Sequence, residues 1–327
     1  MPKILVTPTH LNKVPGPYCD FLIAAGLEVV YPPPGVSMFE PENLVRQLQG
    51  IDGVLAGVEP YTREVFAASK LRAVARHGVG YDVIDVPAAT EHGVVVTITP
   101  GANEESVAEL TITLMLGVYR GFPWRDREVR TGKWTRSALP RLAGKTLGLV
   151  GLGRIGKAVA CRAIGLGVKV IAHDPCADAA FAREQQIRLS SLEELLKTAD
   201  IVSLHTPVTP TTAKLINART IATMKPGAVL INTSRGGLVE EPDLIAALQS
   251  GRLFGAGLDV YSVEPLPTDS PLIKLDNVLL SPHMAGIDEE SQLAMSCMAA
   301  QCLADLFNGR WPEGCVVNEE LRTGWKA

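Results

Sequence analysis

Residues 145–175, KTLGLVGLGRIGKAVACRAIGLGVKVIAHDP, run from an apolar stretch through a glycine turn and a helix-period segment to a second apolar stretch that ends on Asp174. Few arrangements of chain accept that order. LGLV reads as a buried strand, the spacing Ile155, Val159, Ile164 as one face of a helix, and VKVIAH as the next strand. Together they form a βαβ unit of the dinucleotide-binding type. Each glycine has a task in it: Gly151 turns the chain sharply out of the strand, Gly153 lets a pyrophosphate approach the backbone, and Gly156 lets the helix pack close on the sheet. The N–H groups that open the helix near Arg154 then face the phosphates. Asp174 follows Gly156 by 18 residues, at the end of the second strand. A carboxylate there accepts hydrogen bonds from the adenosine ribose hydroxyls and repels a 2′-phosphate, so NAD is the expected cofactor in preference to NADP.

The same strand-then-helix rhythm runs through the rest of the chain. Before residue 100, strands are expected at KILVT, LEVVY, GVLAG, LRAVAR and VVVTI, with helices between them, which makes a small parallel α/β unit. From about residue 145 a second series follows: LGLV, KVIAH, IVSLH, AVLINT, GAGLDV and NVLLSP. Six apolar strands of this kind suit a doubly wound parallel sheet covered on both faces. Between the two series, residues 99–120 form a long apolar-periodic helix, its start marked by Pro100, Gly101 and Asn103 ahead of an acidic first turn. The last helix, approximately Glu289 to Phe307, has no strand of the second series left to serve and is expected to return to the first unit. The segment from Tyr119 to Leu142, rich in charge and carrying Trp124 and Trp134, fits neither series and is assigned to contact with a partner subunit.

With 327 residues, 46% of them hydrophobic and 20% charged, the chain has core enough for two globular domains. A net charge of −4 without a basic block points away from nucleic acid and from anionic membranes as partners. The chain has no apolar run of membrane-spanning length, and MPKILVTPTH lacks a basic stretch followed by a long apolar core, so a cytoplasmic location is expected. Six scattered cysteines, without a C-x-x-C pair or His/Cys metal spacing, imply reduced thiols, no disulfide and no metal.

Ligands of open α/β sheets bind outside the carboxyl ends of the strands. Arg235 follows AVLINTS, Asp259 ends GAGLDV, Glu264 comes shortly after, and His283 follows NVLLSP. Arginine, glutamate and histidine at successive strand ends suit the oxidation of an alcohol next to a carboxylate. Arg235 would clamp the carboxylate in its planar fork, His283 would shuttle the hydroxyl proton, and Glu264 would orient the imidazole and stabilise its charged form. The nicotinamide supplies the hydride chemistry. Singly, each also fits an ordinary role: a surface charge, a turn residue before Pro265, a loop cap. Their joint placement favours the chemical reading.

GLGRIGKAVA, LHTPVTPTT, INTSRGGLVEE, LDVYSVEP and SPHMAG resemble, in order, the signature blocks of the D-isomer-specific 2-hydroxyacid dehydrogenases. RHGVGYDVIDVPAATEHGVVVTITPGANEESVAEL resembles their interdomain region, and the likeness runs from about residue 3 to residue 318. The resemblance implies that His283 and Glu264 are the proton-transfer pair and Arg235 the substrate arginine. It implies a small 2-hydroxy or 2-oxo acid held by Val79, Gly80, Arg235 and His283, with the backbone N–H groups of Val79 and Gly80 on its carboxylate. Asp259 is placed at the nicotinamide end of the cofactor, and Ile155, Thr206, Pro207, Thr233, Ser234 and Gly286 along its cleft. His205, the tempting alternative base, stands beside the cofactor in a structural role. The fold implied is α/β with two doubly wound domains: a Rossmann NAD domain at 99–287 and a flavodoxin-like substrate domain divided between 1–98 and 288–327. A homodimer through the arm around 119–142 is implied as well.

Within that family, GVGYDVIDVPAAT, SVAEL and RTGKW most resemble phosphoglycerate dehydrogenases, and with the last helix so near residue 327 the C-terminal regulatory domain of longer members is expected to be missing. Many of those enzymes place an arginine after the third strand for the substrate phosphate, where this chain reads LAGVEPYT, with Gly57 and Glu59. An acidic loop is a poor phosphate site unless Arg76, Arg136 or a partner chain supplies the charge. Hydroxypyruvate, glyoxylate or another small polar 2-oxo acid therefore stands beside 3-phosphohydroxypyruvate as the expected substrate. The alternative reading is an NAD-sensing corepressor, a binding protein that keeps the same residues.

Overall fold

In the computed structural model, which describes residues 1–325, the chain divides into two compact units: Met1–Asn103 with the chain from Asp288 onward, and Glu104–Ile287. The first unit is built from β1 (Lys3–Val6), α1 (Pro17–Ala24), β2 (Glu28–Val30), α2 (Pro41–Gln47), β3 (Gly53–Ala56), α3 (Arg63–Ala67), β4 (Ala73–Arg76), α4 (Val86–Glu91) and β5 (Val95–Thr97). The second opens with α5 (Glu104–Arg120) and α6 (Phe122–Arg130), then alternates β6 (Thr146–Val150), α7 (Arg154–Gly165), β7 (Lys169–His173), α8 (Ala179–Glu184), β8 (Arg188–Leu189), α9 (Leu192–Thr198) and β9 (Ile201–Leu204). It closes with α10 (Ala218–Thr223), β10 (Ala228–Asn232), α11 (Glu241–Gln249), β11 (Leu253–Leu258) and β12 (Val278–Leu280); α12 (Glu289–Phe307) belongs to the first unit.

All strand pairs are parallel, in the orders β2-β1-β3-β4-β5 and β12-β11-β10-β9-β6-β7-β8. Both sheets are wound outward in two directions, one from β1/β3 and the other from β6/β9, so each has a switch point at which strand ends leave a crevice. Parallel sheets need cover on both faces, and the side-chain alternation supplies it. In the second unit Leu147, Leu149, Ile201, Val229 and Ile231 share a core with α5 and α7, while Val202, Leu204, Leu230 and Ala256 share the opposite one. In the first, Leu5, Val54, Val74 and Val96 pack with Leu44, Val65 and Ala88 of α2, α3 and α4. Ile4, Leu55, Ala73 and Val95 face the other way, onto Ala299, Leu303 and Leu306 of α12.

The returning helix is thus a structural layer of the first sheet. Asp288 caps it, accepting the Ser291 N–H at 2.6 Å ahead of an acidic first turn. The chain then runs along the edge of β5. Ile98 N–H donates to the Cys315 carbonyl and Val317 N–H to the Val96 carbonyl, both at 2.9 Å, and Val316 bridges Thr97 antiparallel. Asn318, 1% exposed, accepts from Val96 N–H at 2.9 Å and donates to the Val94 carbonyl at 2.9 Å and to Thr90 Oγ1 at 3.1 Å. Strand β8 was not expected from the sequence: its two residues are exposed and leave no apolar pattern.

Among the described residues no helix is long and apolar enough to cross a membrane, and no group of three or more His, Cys, Asp or Glu side chains is placed to hold a metal ion. Each of the six cysteines is a free thiol.

The Asn318 clamp predicts that Asn318→Ala destabilises the first unit by about 2 kcal/mol or more, since each buried backbone group left without a partner costs ~1–3 kcal/mol. Urea unfolding measures this directly, and an unchanged midpoint would show that the C-terminal segment is dispensable for that sheet.

Candidate active site

At the carboxyl end of β6 the backbone turns at Gly151 with φ of +100°, in the left-handed region, and a Cβ there would lie 2.2 Å from the His205 carbonyl oxygen. Gly156 seats the first turn of α7 against Gly151, whose carbonyl oxygen would be 2.3 Å from a Cβ. A Cβ on Gly153 would meet nothing within 4 Å, so this side of the turn is open space in front of the helix start. The first N–H groups of α7, at Arg154 and Ile155, have no intrahelical acceptor, as in any helix. Such a start, open to a phosphate and lined by donors, fits a pyrophosphate. Asp174, at the end of β7, accepts the Leu152 N–H and the Cys176 N–H at 2.7 Å each. Its carboxylate therefore braces the glycine turn besides being available to a ribose.

The neighbouring strand ends complete this edge. Ser234 Oγ donates to the Thr206 carbonyl at 2.7 Å, and Thr233 Oγ1 lies 2.9 Å from Thr111 Oγ1 of α5. Pro207 follows Thr206 on the exposed side. Asn232 is buried and shapes the corner, accepting the Ser234 N–H at 3.1 Å and donating to the Arg235 carbonyl at 2.9 Å. His205 is held with Nε2 2.8 Å from Ser203 Oγ, and burial pushes its pKa down to about 4. A neutral imidazole locked to a serine is no proton donor at neutral pH.

Arg235, Glu264 and His283 come together at the ends of β10, β11 and β12. Glu264 is fixed at both oxygens: Oε1 accepts the Tyr261 N–H at 2.9 Å, and Oε2 stands 2.6 Å from His283 Nδ1. Burial alone would raise the Glu264 carboxyl, but the hydrogen bonds from His283 and Tyr261 and the charges of His283 and Arg235 hold it below its ordinary value. An ionised carboxylate only accepts, so Nδ1 carries a proton and Nε2 remains for other chemistry. Arg235 is held by a bond from Nη1 to the Ser234 carbonyl at 2.7 Å.

His283 has φ of +52°, an uncommon conformation for a residue with a side chain. What maintains it is Asp259. This residue is 0% exposed; Oδ1 accepts from Ser281 Oγ at 2.6 Å and Met284 N–H at 2.9 Å, Oδ2 from Ala285 N–H at 2.8 Å, and its backbone carbonyl takes the His283 N–H at 2.8 Å. The visible work of Asp259 is to fasten the loop 281–285, which leads to Gly286. Tyr261 adds a second tie, its hydroxyl donating to the Leu258 and Ser281 carbonyls at 3.1 and 2.9 Å. Asn232, Tyr261 and Ser281 went unnoticed in the sequence although they lie inside or beside the motifs, because spacing does not tell where a side chain turns.

In the first unit, Val79 and Gly80 follow β4 and are half-buried. Neither N–H meets an acceptor among the described residues, as a loop that binds a carboxylate requires. Glu59 corrects an expectation. Rather than charging the loop after β3, it is 4% exposed and curled back over Gly57, whose N–H donates to Thr7 Oγ1 at 3.0 Å. Burial raises its carboxyl above the ordinary value against the pull of hydrogen bonds and of Arg76. The loop shows solvent Val58, 45% exposed.

The profile of the D-isomer specific 2-hydroxyacid dehydrogenase NAD binding domain matches residues 112–285. The chain is 43% identical over 270 residues to a glyoxylate reductase of Korarchaeum cryptofilum, covering 80% of this chain and 81% of that protein. It is 40% identical over 324 residues to a D-3-phosphoglycerate dehydrogenase of Methanocaldococcus jannaschii, covering 97% of this chain but only 59% of the relative. The crystal structure of the TT0316 protein from Thermus thermophilus superposes with a TM-score of 0.86 at 39% identity, covering 96% of this chain and 99% of that one. With the profile over more than half of its length and relatives at this identity, the chain belongs to the D-isomer specific 2-hydroxyacid dehydrogenases.

Proposed function

We propose that this NAD-dependent dehydrogenase interconverts a small unphosphorylated 2-oxo acid, of the glyoxylate or hydroxypyruvate type, and its 2-hydroxy acid, with His283 as the proton-transfer group. The observation that carries the proposal is the 2.6 Å contact between His283 Nδ1 and Glu264 Oε2, which leaves Nε2 for the substrate oxygen. Bound NADH supplies the hydride. Arg235 is assigned to the substrate carboxylate, whose capture orients the reacting carbon, and the N–H groups of Val79 and Gly80 in the first unit are assigned to the carboxylate as well. Protonated His283 gives its Nε2 proton to the carbonyl oxygen, and Glu264 stabilises the imidazolium beforehand. The cofactor is held by the turn Gly151, Gly153, Arg154, Ile155 and Gly156, by Asp174, and by Thr206, Pro207, Thr233 and Ser234, with Asp259 and Gly286 toward the nicotinamide. His205 packs beside it.

An unphosphorylated substrate is favoured because the exposed residue of the loop after β3 is Val58, which offers no charge to a phosphate. An enzyme is favoured over a corepressor because the relatives are named as a reductase and a dehydrogenase. A homodimer is proposed through the arm of α6 and residues 131–142, on which Phe122, Val129 and Trp134 are exposed. The free thiols accord with a cytoplasmic setting.

His283→Ala should leave NADH affinity nearly unchanged and lower kcat by about 10²-fold or more; near-normal turnover would remove His283 from the mechanism. Glu264→Gln serves as its pH-resolved companion. The depressed Glu264 carboxyl stays ionised as pH falls until that lowered value is reached, so in the wild type the charged imidazole faces an ionised partner across the neutral range. Without the carboxylate the imidazolium is less stable, and the alkaline limb of the reduction profile moves to lower pH. An unmoved limb would exclude Glu264 from this role.

NADH should be preferred over NADPH in kcat/KM. Asp174→Ala should narrow the gap mainly by harming NADH use, because the change removes both the ribose acceptor and the brace on Leu152. Equal use of both cofactors by the wild type would refute the assignment.

Turnover of glyoxylate, hydroxypyruvate and 3-phosphohydroxypyruvate with NADH tests the substrate. The unphosphorylated acids should match or exceed the phosphorylated one, and Val58→Arg should shift the balance toward the phosphate. A wild-type preference for the phosphorylated acid above about 100-fold would mean that other cations build a phosphate site.

A further inference from the structure

We propose that Arg76 is a positioning residue for the substrate carboxylate: its guanidinium holds the 77–80 backbone so that the Val79 and Gly80 N–H groups stay free for the ligand. This rests on the reading of those two groups given above.

Arg76 ends β4, and its side chain folds back beneath the loop that follows it. Nε donates to the Gly80 carbonyl at 3.0 Å and Nη1 donates to the His77 carbonyl, so one planar group ties both ends of the loop. Gly78 lies directly against it: φ is +140°, and a Cβ would come within 2.9 Å of Nη1 and 3.1 Å of Cζ. The middle of the loop is fastened separately, the Gly78 carbonyl accepting the Thr99 N–H at 3.0 Å. His77 is pinned too, its N–H on the Ala56 carbonyl at 2.8 Å and its Nε2 3.2 Å from Ser296 Oγ.

These anchors decide where the free donors point. In a trans peptide the N–H lies opposite the preceding C=O. With the Gly78 carbonyl on Thr99, the Val79 N–H is turned the other way, and the Gly80 N–H lies in the plane between those anchored by the Gly78 and Gly80 carbonyls. A lysine, a single point of charge without the fork, cannot span both carbonyls in this way.

Glu59 is coupled to this anchor. It is buried, its Oε2 has no hydrogen-bond partner among the described residues, and the Arg76 charge opposes the burial that raises its carboxyl.

The test uses the NADH-bound enzyme and its Arg76→Lys, Arg76→Gln and Glu59→Gln variants, with three readouts: NADH affinity, kcat and KM for the best 2-oxo acid, and affinity for oxamate, an unreactive carboxylate analogue. For Arg76→Lys, KM and the oxamate Kd should rise by about ten-fold or more, while kcat and NADH affinity stay within about two-fold, the signature of lost ground-state binding. Glu59→Gln should act in the same direction, and the double variant should be less than additive. A merely structural role would instead lower the folded fraction and kcat without moving the oxamate Kd. Arg76→Lys also guards against misfolding of the glutamine variant. Wild-type oxamate affinity and KM in folded Arg76→Lys would overturn the positioning role alone; a wild-type enzyme that neither reduces a 2-oxo acid nor binds oxamate would overturn the carboxylate reading with it.

Discussion

The catalytic corner hangs on a carboxylate that does no chemistry in the proposed mechanism. Asp259 sits at the end of β11 with no exposed surface, and removing an ion from water is costly unless donors replace the lost hydration. Here the donors are Ser281 Oγ and the N–H groups of Met284 and Ala285, all from the loop after β12. The charge can therefore be buried only with that loop wrapped around it, and the loop in turn keeps His283 in a left-handed conformation that an unconstrained chain would leave. The imidazole reaches Glu264 because its backbone is held at an unfavourable angle by a neighbour on the adjacent strand.

Parallel topology makes such a corner cheap to assemble. Neighbouring strands end at the same level, so residues far apart in sequence arrive side by side without a dedicated scaffold. Glycine turn, Asp174, Thr206, Arg235, Glu264 and His283 all follow strands of one seven-stranded sheet. The backbone groups exposed by the turns are satisfied by short polar side chains: Asn232 on the corner at Arg235, Tyr261 on the carbonyls of Leu258 and Ser281, Asp174 on Leu152 and Cys176. Rigid turns let side chains keep a reactive geometry before any ligand is present.

The elements most legible in the sequence were those in which burial leaves an unbroken apolar run, as in AVLIN of β10, buried at all five positions. The glycine turn was legible because its steric demands act on backbone, and so was the placement of Arg235, Glu264 and His283, since each follows a strand. Strand β8 was invisible because exposure removes the pattern that identifies a strand. Glu59 was misread for a related reason. A glutamate between valine and proline reads as a solvated loop charge, because carboxylates are seldom buried, and only the fold turns it inward to where the Arg76 charge acts on it. Likewise Asp259 could be located at a strand end, but its three donors lie more than twenty residues away and appear only once β11 and β12 are paired.

Asp259, Asp174 and Arg76 share one strategy, which bears on substrate choice. Each binds its own backbone: the aspartates accept N–H groups, and Arg76 donates to carbonyls of the loop that it starts. A charge used in this way first orders the backbone groups that the loop presents to a ligand. Binding by ordered backbone donors suits a small carboxylate, which needs two or three directed hydrogen bonds. It suits a phosphate dianion less well, since that calls for a net positive pocket. With Arg76 committed inward and Val58 facing solvent, the first unit has the means to recognise one carboxylate, and the burden of discriminating among 2-oxo acids falls on whatever small group extends beyond it.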